Sequence, residues 1–268
     1  MKLKDWLKEN RGAFGDSDLR FLVKEVFNKD LSTVVLENTY INPERRQYLD
    51  EIKELALSGV PLAYVLGKEI FFGFEFKVNN DALIPRPETE LAVEKALEII
   101  SEGNTNSVLD LGCGCGNIAI SISKSTNKTL AIVASDVSQK ALEVARQNIE
   151  FHNVDIKLVN SDLFKAFRGE KFDLIVSNPP YVEDANIKGS LLHEPHVALS
   201  GKEDGFYFAE KILSQAKEYL TEGGSLIVEM GHKHKELTDV LLGEISWYKK
   251  IEWVKDYPGH FRTLVLRT

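Results

Sequence analysis

Ser107-Val108-Leu109-Asp110-Leu111-Gly112-Cys113-Gly114-Cys115-Gly116-Asn117 decides the fold. The first five residues are mostly apolar and read as a buried strand. Glycine at every second position from 112 to 116 predicts a loop, and a helix is expected from about Asn117. A buried strand feeding a glycine-rich turn and a helix opens a doubly wound sheet, whose ligands bind beyond the carboxyl ends of the strands. Downstream the alternation continues. Strands are expected over 129–136, 156–162, 172–180 and 224–231, helices over 139–151, 206–220 and 235–242, and a strand pair over 247–257 and 261–268. This pattern predicts an α/β fold with a doubly wound, mostly parallel seven-stranded sheet and right-handed crossovers. The last two strands are separated by only a short turn, so one of them is expected to be antiparallel.

Upstream the chain changes character. Leu3, Trp6 and Leu7, then Leu19, Leu22, Val23, Val26 and Phe27, recur at helical spacing. Asp16 or Ser17 is positioned to cap the second segment. Asn42-Pro43 opens a further helix through Tyr48, Ile52, Leu55 and Ala56, which Gly59 and Pro61 end. A small helical domain is therefore expected over residues 1–66. Aromatic and β-branched residues around Gly73 predict a β-hairpin linker over 67–82, and the second domain occupies 83–268. Two prolines stiffen the loop Leu83-Ile84-Pro85-Arg86-Pro87-Glu88-Thr89-Glu90 ahead of a helix over 91–100, where Thr89 is a candidate cap. Gly103-Asn104-Thr105-Asn106 reads as a turn.

Composition narrows the function. The 268 residues include 33 basic and 41 acidic side chains, for a formal charge of -8. Residues 1–80 carry 12 basic and 13 acidic residues, so the acidity belongs to the α/β part. A protein that neutralises nucleic-acid phosphates usually carries a basic surplus. The only two cysteines, Cys113 and Cys115, are too close together to close a structural loop, and no apolar run is long enough to span a membrane. A cytoplasmic, monomeric protein is expected. His193 with His196 and His232 with His234 lack metal-site spacing, so no metal is expected.

Three strand ends carry the chemistry. Glycines at 112, 114 and 116 let a ligand approach the backbone closely, but no third dinucleotide-type glycine stands at Asn117 and no P-loop lysine follows. Asp136 ends the second strand, 24 residues after Gly112, where a carboxylate accepts hydrogen bonds from ribose hydroxyls; capping the next helix is the alternative role, open also to Ser138. Ser161-Asp162-Leu163-Phe164 ends the third, where polar and aromatic groups can grip an adenine. Together they describe an adenosine site without a phosphate-binding signature, which suits S-adenosylmethionine better than NAD or ATP.

Asn178-Pro179-Pro180-Tyr181 ends the fourth strand and reads as an amide clamp. The Asn178 side-chain oxygen and the Pro179 carbonyl can each accept one hydrogen of a planar NH₂ group, while Tyr181 can stack on it. Such a grip orients the nitrogen towards a methyl donor, which is catalysis by positioning. An Asn-Pro-Pro turn can also be merely structural.

With the glycine loop, Asp136 and Asn-Pro-Pro-Tyr in place, the sequence resembles class I S-adenosylmethionine-dependent methyltransferases that act on planar nitrogens. Pro61-Leu62-Ala63-Tyr64-Val65-Leu66-Gly67, the aromatic hairpin, Ile84–Glu90, Glu194-Pro195 with Ala198-Leu199, and Asp204-Gly205 resemble the HemK/PrmC family over nearly the whole chain. That resemblance implies methylation of the glutamine in the Gly-Gly-Gln motif of class 1 peptide release factors, which are the expected partners; domain order alone suggests the helical domain as the substrate-docking surface. The resemblance implies cofactor contacts at Gly112, Cys113, Gly114, Cys115, Gly116, Asp136, Phe164 and Asn178, with Cys113 and Cys115 where many relatives carry Thr or Ser. It also implies substrate contacts at Asn178, Pro179, Pro180 and Tyr181, with Asn178, Pro179 and Tyr181 catalytic, and a closing role for the Arg86–Glu90 loop. Ribosomal-protein glutamine methyltransferases share Asn-Pro-Pro-Tyr but differ over 85–90. An adenine-N6 nucleic-acid methyltransferase is the third reading, because an extruded adenine offers the same planar NH₂.

Overall fold

The computed structural model describes residues 1–103 and 105–268. The turn expected over 103–106 includes Asn104, which lies outside the described residues. The chain divides into two compact units, Met1–Leu66 and Gly67–Thr268.

The first unit contains helices Leu3–Glu9, Asp16–Phe27, Leu31–Leu36, Pro43–Leu57 and Leu62–Leu66. Leu3, Trp6, Leu22, Val23, Val34, Leu49 and Ile52 form its core, and the Trp6 indole donates to Asp50 Oδ1 at 2.8 Å, which satisfies the one polar atom of that ring. Asn42 accepts from the Arg45 amide at 2.8 Å, the cap its place before Pro43 predicts. The second helix starts differently from expectation. Gly15 is its cap residue, and the Asp18 carboxylate reaches back to the Gly15 amide at 3.3 Å. A side chain three residues inside the helix thus does the work assigned to Asp16 or Ser17.

In the second unit, strands β1 (Lys68–Phe71) and β2 (Phe74–Lys77) form the hairpin, turned by Phe72 and Gly73 with φ of 51° and 76°. The seven-stranded sheet contains β3 (Ser107–Leu111), β4 (Ala131–Asp136), β5 (Lys157–Asn160), β6 (Phe172–Ser177), β7 (Leu220–Glu229), β8 (Lys250–Lys255) and β9 (Phe261–Arg267). Their order is β5-β4-β3-β6-β7-β9-β8, with β3 to β7 parallel and β9 antiparallel to both neighbours. The final strand therefore inserts between β7 and β8.

Successive residues of each strand point to opposite faces and build two cores. Val108, Leu174, Val176 and Ile227 pack with Ala96, Ile118 and Ala145 on one face. Leu109, Leu111, Ile175 and Val228 pack with Ala209, Ile212 and Leu242 on the other. Connections leave β3 towards β4 and β5, and then return to β6 on its other side. The carboxyl ends of β3 and β6 thus flank the point where strand order reverses, where such sheets bind ligands.

Asn148 ties three segments of this unit together. Buried on helix Gln139–His152, it accepts from Lys77 N at 2.8 Å and donates to Lys77 O at 3.0 Å and to Cys115 O at 2.9 Å. One amide thereby anchors the hairpin and the glycine loop, and every polar atom it buries is paired.

Candidate active site

A cleft of about 1000 Å³, part of it open to solvent, lies at the carboxyl ends of β3, β4 and β6. Gly112, Cys113, Gly114, Asp136, Asn178, Pro179 and Pro180 all line it. Gly112 and Gly114 hold φ of 80° and 54°, and a Cβ at either would meet nothing within 4 Å. Those glycines are required by backbone conformation, and they leave the wall open to a ligand.

Asp136 organises the loop. Its Oδ2 accepts from Gly114 N at 2.9 Å and its Oδ1 from Ser138 N at 2.8 Å. Ser138 caps the following helix, accepting from Ala141 N at 3.2 Å, so the capping task falls to the serine. A carboxylate with two oxygens keeps free lone pairs after two such bonds, and those suit ribose hydroxyls. Burial raises the Asp136 pKa, while the amides of Ser138, Gly114 and Val137 oppose the shift. Apolar residues Val137, Leu163 and Ile118 complete the wall, and with Asp136 they fit an adenosine group.

Asp110 lies beneath the glycine loop, fully buried. Its Oδ2 accepts from Ala119 N at 3.0 Å, while Oδ1 has no partner among the described residues. Burial pushes its pKa up to about 7. Cys113 and Cys115 are free, buried thiols whose pKa values burial raises, that of Cys115 to about 12, so neither is an activated nucleophile. Among the described residues no group of three or more His, Cys, Asp or Glu is arranged to hold a metal ion.

Four of the residues singled out in the sequence do not line the cleft. Cys115 and Gly116 lie behind the loop, where Gly116 packs against Ile120 and Ala145. Phe164 is buried and stacks on Tyr219, with ring centroids 4.4 Å apart and planes 8° apart. Leu163, with φ of 49°, turns the chain so that Leu163 and Asp162 meet the cleft instead. Tyr181 points its hydroxyl away from the opening, to Glu229 Oε1 at 2.9 Å.

Asn178 is half-buried, and its Nδ2 donates to Thr89 Oγ1 at 3.0 Å. Its Oδ1 has no protein donor among the described residues, so an acceptor is left for a ligand. Thr89 makes no cap bond to helix Glu90–Ser101; its hydroxyl serves Asn178 instead. Arg86 pairs with the buried Glu194, whose Oε2 also accepts from Ile84 N at 3.3 Å, fastening the proline-rich loop to the segment after the fourth parallel strand. Sequence reasoning noticed both segments yet did not pair them. Opposite charges 108 residues apart are a signal too common to single out.

Gly205 supports the clamp from behind. At φ of +72°, a Cβ there would lie 2.4 Å from the Tyr181 carbonyl oxygen and 3.1 Å from the His234 ring. Gly205→Ala combines a backbone penalty with this clash and is expected to cost about 1–3 kcal/mol. A denaturant titration measures the loss, and an unchanged midpoint would contradict the packing described.

Residues 89–200 match the Methyltransferase small domain family. Among curated proteins, the chain is 35% identical over 254 residues to the release factor glutamine methyltransferase of Streptococcus pneumoniae, covering 92% of this chain and 90% of the relative. It is 33% identical over 283 residues to that of Clostridium botulinum, covering 100% and 99%. Among solved structures, a methyltransferase from Pyrococcus furiosus matches with a TM-score of 0.53 at 20% identity, over 84% of this chain and 98% of that one. The 16S rRNA N2 G1207 methyltransferase of T. thermophilus, in complex with AdoMet and guanosine, matches with a TM-score of 0.54 at 18% identity, over 75% and 49%. The two structures share the fold.

Proposed function

The chain belongs to the release factor glutamine methyltransferase family, and from that premise we propose that it transfers a methyl group from S-adenosylmethionine to the side-chain nitrogen of the glutamine in the Gly-Gly-Gln motif of class 1 release factors. The observation that carries this reading is the tethered asparagine. With Nδ2 given to Thr89, Asn178 keeps an acceptor at the cleft wall, beside Pro179, whose nitrogen donates nothing.

S-adenosylmethionine, when bound, supplies an electrophilic methyl carbon on its sulfonium. Asp136, with the Gly112–Gly114 backbone and the walls of Val137 and Leu163, would hold its adenosine part. Asn178 Oδ1 and the Pro179 carbonyl accept the two hydrogens of the glutamine NH₂ and fix its nitrogen. Hydrogen bonds that strengthen as that nitrogen loses planarity favour the transition state over the ground state. The proton becomes acidic once the nitrogen carries the methyl group, so no strong base is needed beforehand. In this reading Gly116, Cys115 and Phe164 act from behind the wall by shaping it, and Pro180 and Tyr181 set the course of the clamp.

The reading includes a cytoplasmic enzyme acting as a monomer, with the helical unit docking the release factor. Exposed Leu36, Tyr40 and Leu57 on that unit support the docking role. Leu36→Ser combined with Tyr40→Ser is expected to raise KM for the factor and leave S-adenosylmethionine affinity unchanged; an unchanged KM would exclude that surface.

The function is tested by offering labelled S-adenosylmethionine with a class 1 release factor, a ribosomal-protein substrate and DNA in parallel. Label on the release factor alone is expected. Label on DNA alone would assign the clamp to an extruded base.

A further inference from the structure

The clamp is held at both ends from outside itself. At one end Thr89 Oγ1 accepts from Asn178 Nδ2 at 3.0 Å. Between the ends, Pro179 and Pro180 have fixed φ but carry no N–H, so neither can be pinned by a donor of its own. The direction of the Pro179 carbonyl therefore depends on where Tyr181 sits. The Tyr181 hydroxyl donates to Glu229 Oε1 at 2.9 Å, and the next residue, Val182, donates from its amide to the Leu199 carbonyl at 2.9 Å. The ring has a further neighbour: Arg262 Cζ lies over it, 6.0 Å from the centroid, at the reach of a cation–π contact.

Arg262 arrives there because β9 inserts beside β7. Thr263 pairs with Glu229, and the Arg262 carbonyl accepts from the Met230 amide at 2.7 Å, which sets Arg262 at the carboxyl end of β7. Its side chain is immobilised. Nε donates to Asp256 Oδ2 at 3.3 Å and Nη1 to the Met230 carbonyl at 3.3 Å. Asp256 is fixed in turn, since its Oδ1 accepts from His260 N at 2.8 Å within the β8–β9 turn. The Arg262 and Asp256 side chains are only 12% and 4% exposed. An ion pair taken so far out of water contributes little to stability by itself. What it offers is geometry: a planar guanidinium held by two acceptors keeps one orientation, here over the Tyr181 ring.

We propose that Arg262 is a positioning residue for methyl transfer, seated by Asp256 and holding the Tyr181 ring so that the far end of the clamp is fixed. The proposal rests on the glutamine-methyltransferase reading. Arg262 does not line the cleft, so it acts on the bound amide only through Tyr181.

Arg262→Lys is the informative variant. It keeps a charge beside Asp256, where Arg262→Met would strand a buried carboxylate, yet it loses the fork that sets the orientation. It is expected to lower kcat on the release factor about 5- to 10-fold, a moderate misplacement of the reacting groups. KM for the factor and S-adenosylmethionine affinity stay within about twofold, and Tm stays near wild type. In a Tyr181→Leu background, followed as single-turnover transfer of labelled methyl, the same change lowers the rate by less than about twofold, because the residue it acts through is gone. In protein with ring-labelled tyrosine, the nuclear magnetic resonance signal that Tyr181→Leu deletes is expected to shift in Arg262→Lys. A kcat within about twofold of wild type, an equal loss in both backgrounds, a loss matched by falls in Tm and cofactor affinity, or an unmoved Tyr181 signal would each overturn the proposal. Wild-type protein inactive on the release factor would instead overturn the functional reading beneath it, and the Tyr181 signal would still report whether Arg262 holds the ring.

Discussion

Asn178→Ala is expected to lower kcat for release-factor methylation by roughly 10²- to 10³-fold, the scale on which a single preorganised transition-state partner acts. The substitution removes the Oδ1 acceptor from the cleft and leaves Thr89 Oγ1 without its donor. The folding cost of that lost bond is only about 1 kcal/mol. Far-ultraviolet circular dichroism and cofactor affinity are therefore expected to stay near wild type while turnover collapses. Steady-state kinetics with saturating S-adenosylmethionine separate the two effects. Retained kcat would mean that the proline carbonyl suffices, and the clamp as described would be wrong.

The second large effect concerns Asp136. Gly114 N donates to one of its oxygens and Ser138 N to the other, so the position requires an acceptor at each oxygen. Asp136→Asn would turn an NH₂ group towards one of those donors and leave one ribose partner fewer. Asp136→Ala would free the glycine loop altogether. Bonds to a charged group contribute about 1.5–3 kcal/mol each, so S-adenosylmethionine affinity is expected to fall about 10- to 100-fold in either variant. Isothermal titration with S-adenosylhomocysteine measures this directly. An affinity unchanged in both variants would reassign Asp136 to holding the loop alone.

The alternating strand and helix segments were legible because each strand is a short apolar run and each helix carries a 3.6-residue stripe. Boundaries moved where hydrogen bonding overrode pattern. Helix 206–220 ends as Tyr207–Gln215 followed by a 3₁₀ turn, and β7 begins at Leu220, pairing Phe172 across an irregular register. That only one of the last two strands is antiparallel was legible from the short turn between them; that it inserts between two others was not, because strand order depends on contacts between distant segments.

Within the cleft, residues at strand ends were readable because position in a parallel sheet dictates where they emerge. Gly112, Asp136 and Asn178 all meet there. Side-chain direction was harder. Leu163 in the left-handed region turns Phe164 into the core, and Tyr181 finds a buried carboxylate instead of the opening. Thr89 looked like a helix cap because it precedes a helix, yet its hydroxyl goes to Asn178, 89 residues away. Glu229, the last residue of β7, was a local anomaly that could have been flagged, as was Asp110 in β3: each is a carboxylate on a strand buried on both faces.

The central claim is that one glutamine nitrogen receives the methyl group. Mass spectrometry of a class 1 release factor after incubation with the enzyme and S-adenosylmethionine, beside its Gly-Gly-Gln to Gly-Gly-Ala variant, tests it most directly. A single added methyl on the side-chain nitrogen of that glutamine, and none on the variant, is the expected result. A methyl on any other residue, or equal labelling of the variant, would contradict the account.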